Sequence, residues 1–139
     1  MHLDHIVVWV DDPLKSLAFY VDTVGLEPVR SEEFQRGEAP FPSVRVSPES
    51  MLDLTAKSEA HGVDQLTNAD GSAGHPVNHL CLTMERGEYN ALKSRLTSAK
   101  VETADMNRRT YGAQGWAPEA FYFKDPDGNV IEARYYETE

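Results

Sequence analysis

Residues 125–136 read DPDGNVIEARYY. Asp125-Pro126-Asp127-Gly128 spells a tight turn, because proline presets φ at the second position and glycine accepts positive φ. Asn129 to Tyr136 is β-branched and aromatic, the composition of a strand. A carboxylate, Glu132, stands at its centre. A carboxylate inside a sheet loses its hydration and needs a partner. The rest of the chain shows where that partner is to be sought.

Upstream, Val77-Asn78-His79-Leu80-Cys81-Leu82-Thr83-Met84 reads as a strand. A helix follows over about Arg86 to Ala99, with Tyr89, Leu92, Leu96 and Ala99 on one stripe. Val101 to Arg108, Glu119 to Lys124 and Asn129 to Tyr136 supply three more strands, and Thr110 to Trp116 reads as a glycine-containing loop. The first half has the same order. Leu3 to Val10 is a strand, Asp12 offers an N-cap oxygen, and Pro13 opens a helix carrying Leu14, Leu17, Ala18 and Val21 towards a stop at Gly25. Strands then follow over Leu26–Ser31, Ser43–Ser47 and Met51–Thr55.

The chain is thus a duplicated βαβββ unit. His5 and His79 hold one place in the repeat, 74 positions apart, and Asp53 and Glu132 hold another, 79 apart. The expected organisation is a single domain, 1–139, built from module 1–56 and module 77–139. Residues 57–76, KSEAHGVDQLTNADGSAGHP, have no apolar period and read as a linker or loop between them. The fold class is α+β.

Alternation assigns faces. Ile6, Val8 and Val10 oppose His5, Val7 and Trp9, while Leu80 and Leu82 oppose His79, Cys81 and Thr83. The wholly apolar sets suit a covering helix, which puts both histidines on the inner face of a curved sheet. The same parity puts Asp53 and Glu132 opposite Leu52, Leu54 and Ile131. Two imidazoles and one carboxylate, with open positions, suit Fe(II), Mn, Co, Ni or Zn. Without a metal, the histidines are satisfied core residues and Glu132 pairs with Arg45 or Arg134.

At 139 residues the chain can bury a core, and its formal charge of −10 argues against nucleic acid or an anionic membrane as partner. The lone Cys81 excludes an intrachain disulfide. No apolar run approaches the roughly 20 residues of a membrane-spanning helix, and no signal-peptide pattern opens the chain. The expected location is the cytoplasm.

The paired modules, LDHIVVWVDDP…FYVDTVGLEPV, NHLCLTM and DPDGNVIEARYY resemble the vicinal oxygen chelate superfamily over essentially the whole chain except 57–76. That superfamily holds glyoxalase I, extradiol dioxygenases, fosfomycin-resistance enzymes, methylmalonyl-CoA epimerase and bleomycin-binding proteins. The resemblance implies a cup-shaped mixed sheet, a divalent metal on His5, His79 and Glu132, and a homodimer. It places Asp53 where glyoxalase-like members usually carry Glu. The implied activity is a lyase or isomerase reaction on a small substrate chelated through neighbouring oxygens, with Asp53 or Glu132 as base. An Fe(II) ring-cleaving dioxygenase and a metal-free antibiotic- or metabolite-binding protein are the alternatives. His61, His75, Tyr111 and Tyr122 are available as acid/base groups for the former. Trp9, Arg109, Tyr111, Trp116 and Arg134 are candidate substrate contacts.

Overall fold

The computed structural model describes residues 3, 5–74, 77, 79–106, 108–112 and 114–137, with the side chains of residues 67, 111, 112 and 115 excepted. The chain divides into two units, Met1–Val77 and Asn78–Glu139. Each unit is built on a four-stranded mixed sheet, and the class is α+β.

In the first unit the strands are β1 (His5–Val10), β2 (Glu27–Val29), β3 (Ser43–Ser47) and β4 (Ser50–Ala56), in the order β1-β4-β3-β2. β1 runs parallel to β4, and the other pairs are antiparallel. Asp12 caps helix α1 (Pro13–Ala18), accepting from the Leu14 and Lys15 amides at 3.0 and 3.2 Å. The helix widens into a π-helical turn over Phe19–Val24 and stops at Gly25, whose φ of 92° suits a residue without a β-carbon. The widening moves the buried stripe. Leu17, Tyr20 and Val24 face the core, whereas Leu14 and Ala18, expected there, are exposed. Val8, Val10, Val44, Leu52 and Leu54 complete that core.

In the second unit β5 (His79–Thr83), β6 (Ala104–Met106), β9 (Ala120–Lys124) and β10 (Val130–Arg134) form the equivalent order β5-β10-β9-β6. β5 is parallel to β10, as β1 is to β4. Helix α4 (Arg86–Ser98) buries Tyr89, Leu92 and Leu96. The Tyr89 ring lies 4.9 Å from both Phe121 and Tyr135. Such aromatic pairs add about 0.5–1.5 kcal/mol each beyond their burial. Ala99, expected on the same stripe, is exposed.

Three local expectations are corrected. The segment read as a linker contains helix α3 (Ala60–Thr67) between two 3₁₀ turns. Its C-terminal side is tied back by Asp64, which accepts from the amide and hydroxyl of Ser72. Ser31–Gln35, partly read as strand, is the short helix α2. Thr110 to Trp116 forms a hairpin, β7 (Thr110–Gly112) and β8 (Gly115–Ala117), with Tyr111 opposite Trp116.

The turn before β10 is closed by its own side chains. Asp125 Oδ1 accepts from the Asp127 and Asn129 amides, both at 2.9 Å, while Asn129 Nδ2 donates to Oδ2 at 2.8 Å. Gly128 takes φ of 81°. This cage sets where β10 begins and therefore which residues share the Glu132 face.

Candidate functional site

Register places the polar residues of the second unit in rows. His79 stands beside Val130, which faces Lys124, while Cys81 stands beside Glu132, which faces Tyr122. Thr83, Arg134 and Ala120 form the next row. The opposite face carries Leu82, Phe121, Phe123, Ile131 and Ala133, all buried. The period of two has therefore sorted one strand into an oily side and a chemical side.

Glu132 is 2% exposed and its two oxygens have different partners. Oε1 accepts from Arg134 Nε at 3.1 Å and Nη2 at 2.5 Å. Oε2 faces His79 Nε2 at 3.3 Å. Burial alone would lower the Arg134 pKa, but the bonds to Glu132 and Tyr136 outweigh it and hold the guanidinium above its ordinary value. Tyr122 packs edge-on against His79, with centroids 5.6 Å apart. Its phenol is pushed up by burial first, then by the charge and hydrogen bonding of Glu132. Cys81 is likewise pushed up, by burial and then Glu132, with Arg134 opposing.

In the first unit, register puts His5, Val7 and Trp9 beside Met51, Asp53 and Thr55. Asp53 is buried, and its Oδ1 accepts from the Ser43 hydroxyl at 2.6 Å. Arg45, the other cation considered for Glu132, donates instead to the Ser47 and Pro48 carbonyls. Trp9 is 8% exposed. His5 and Asp53 thus share a face in one unit, and His79 and Glu132 share a face in the other.

Of the candidate substrate contacts, Arg109 and Trp116 come together, the guanidinium 5.7 Å from the indole centroid. Trp116 is 55% exposed. Arg134 is taken up by Glu132, and the Tyr111 side chain and His75 lie outside the described residues. His61 is on α3 and contacts Gln65 at 3.3 Å. Sequence reasoning did not identify Ser43 as the partner of Asp53, or the place of Tyr122 beside Glu132. Alternation along β9 carries the second signal, but it becomes usable only once the β9–β10 register is known.

Within neither unit, among the described residues, do three His, Cys, Asp or Glu side chains gather around a common point that would hold a metal. His79 and Glu132 nonetheless pass a narrower test. Two donors on one first-row ion at about 2.1 Å stand roughly 3.0–3.4 Å apart for angles between 90° and tetrahedral. Their separation of 3.3 Å falls in that interval. The second oxygen of Glu132 is held as an outer partner holds a ligating carboxylate.

A duplicated α+β unit with His and carboxylate at equivalent places in each copy defines the class. The chain belongs to the Glyoxalase/Bleomycin resistance protein/Dioxygenase superfamily, whose family model matches residues 2–133. Members of this superfamily commonly use divalent metals, bind small molecules and often form dimers. No curated protein sequence matches the chain. Among solved structures it is similar to a virulence protein from Salmonella typhimurium (20% identity, 99% of this chain and 98% of that one, TM-score 0.70). It is similar also to lactoylglutathione lyase from Agrobacterium tumefaciens (22%, 96% and 92%, 0.66). A glyoxalase/dioxygenase from Nostoc punctiforme shows the same likeness (20%, 99% and 92%, 0.69). At these identities the likeness shows the fold. No helix among the described residues is long and apolar enough to cross a membrane.

Proposed function

We propose that the chain is a divalent-metal-dependent lyase or isomerase acting on a small substrate held through neighbouring oxygens. The observation that carries this is His79 Nε2 facing Glu132 Oε2 at 3.3 Å, with Oε1 occupied by Arg134. His79 and Glu132 would hold the metal. His5 is assigned as the third donor by its equivalence to His79 in the repeat. When bound, the metal would supply stabilisation of negative charge developing on substrate oxygens.

The chain's own groups divide the remaining tasks. Arg134 occupies one oxygen of Glu132 and His79 faces the other, so Glu132 is assigned as a ligand and not as the base. Asp53, whose Oδ1 accepts from the Ser43 hydroxyl, is assigned as the base, taking a proton at Oδ2. Arg109 over Trp116 presents a flat cationic surface suited to a planar or anionic substrate group. The protein is proposed to act in the cytoplasm as a homodimer.

Elemental analysis of freshly purified protein tests the reading. We expect about one Fe, Mn, Co, Ni or Zn per chain, reduced at least tenfold by His79→Ala and by Glu132→Gln. Wild-type protein that neither carries nor takes up any of these ions ends the proposal. A second reading, metal-free ligand binding, is favoured by one observation: Arg134 already neutralises Glu132 without an ion. Ring cleavage, the remaining alternative, would show as oxygen uptake with catechols that is abolished by removing iron.

A further inference from the structure

Arg134 extends beyond Glu132. Its Nη1 donates to the Tyr136 hydroxyl at 3.5 Å. The same oxygen accepts the backbone amide of Gln114, 22 positions earlier, at 3.3 Å. Gln114 lies in the turn of the β7–β8 hairpin, which closes at the Gly112–Gly115 pair. A continuous line of bonds therefore runs from the buried Glu132 carboxylate, through Arg134 and Tyr136, to the hairpin that carries Trp116 and follows Arg109.

We propose that Tyr136 is a positioning residue that couples this hairpin to the Glu132 carboxylate. The physical reason is the rigidity of the guanidinium. Its five N–H groups lie in one plane, so the orientation set by Nε and Nη2 on Glu132 also sets where Nη1 points. Loosening the grip on Glu132 turns that plane and takes Nη1 off Tyr136, and the hairpin amide then loses its aligned acceptor. Coupling is reciprocal, so a ligand that fixes the hairpin also steadies the Glu132 oxygens. The biological use of this coupling, relaying substrate contact at Arg109 and Trp116 to the metal-facing carboxylate, rests on the proposed function; the coupling itself does not.

Arg108 and Arg109 are exposed and stand at the base of the hairpin, so trypsin cleavage there under native conditions reads its opening. The experiment compares wild type, Tyr136→Phe, Glu132→Gln and the double variant. Tyr136→Phe is expected to speed cleavage about threefold, the effect of one weak hydrogen bond. Glu132→Gln also speeds it, and the double variant is no faster than Tyr136→Phe alone. Effects that multiply overturn the proposal, because they mean the two residues act independently. So does a Tyr136→Phe rate equal to that of Asp12→Ala, a helix-cap variant of the first unit that is not a member of this line. The assay contains no metal, so its result is distinct from that of the elemental analysis.

Discussion

Asp53 and Glu132 hold the same place in the two copies of the repeat and are both buried, yet they are stabilised by different physics. Asp53 accepts from the hydroxyl of Ser43 on a neighbouring strand. Glu132 is held by a guanidinium two residues along its own strand, with an imidazole at its other oxygen. A duplicated backbone thus preserved the position of an acid while its surroundings diverged. The first unit keeps a carboxylate with a neutral hydroxyl partner. The second keeps one paired with a guanidinium.

The largest test removes the cation. Arg134→Met leaves Glu132 buried without its charged partner and should cost about 3–5 kcal/mol in denaturant unfolding. Replacing both residues, as Glu132→Gln with Arg134→Met, should recover more than half of that. A double variant as unstable as the single one would break the comparison, since the loss would then come from packing. The corresponding change in the first unit, Ser43→Ala, removes one bond to Asp53 and should cost only about 1–2 kcal/mol. A loss as large as that of Arg134→Met would show that both carboxylates depend equally on their partners.

The smallest effect concerns the helix side of the second unit. Burial, followed by the charges of Glu119, Asp105 and Tyr135, pushes the Tyr89 phenol up to about 12. Its folded value lies above the ordinary value of about 10, so the core favours the neutral form. The stability it contributes is intact below about pH 10 and is lost as pH rises through about 12. Alkaline titration followed by tyrosinate absorbance and circular dichroism should show Tyr89→Phe retaining structure where wild type loses it. Identical curves would remove Tyr89 as the cause.

Much of the architecture was legible because its signals are local. The Asp12-Pro13 start, the Gly25 stop and the Asp125–Gly128 turn each act within a few residues, and all three appear as expected. Helix α3 was not legible, since its segment is polar and its Asp64 is tied to Ser72 only in the folded chain. The shift of the buried stripe from Leu14 and Ala18 to Tyr20 and Val24 follows from a π-helical turn that no spacing rule foretells. The β7–β8 hairpin was hidden by its glycines, which read as loop.

Read alone, the chain established the duplication, the strand faces, and the equivalence of His5 with His79 and of Asp53 with Glu132. Alternation has a period of two and needs no distant information. Which cation meets Glu132 was open between Arg45 and Arg134, and only the folded structure chose Arg134. The same holds for Ser43 on Asp53 and for Tyr136 beneath Gln114. These partners are brought together by strand register and turn geometry. Ladder bonds and core packing decide those among segments far apart in sequence, and no short window of residues encodes the outcome.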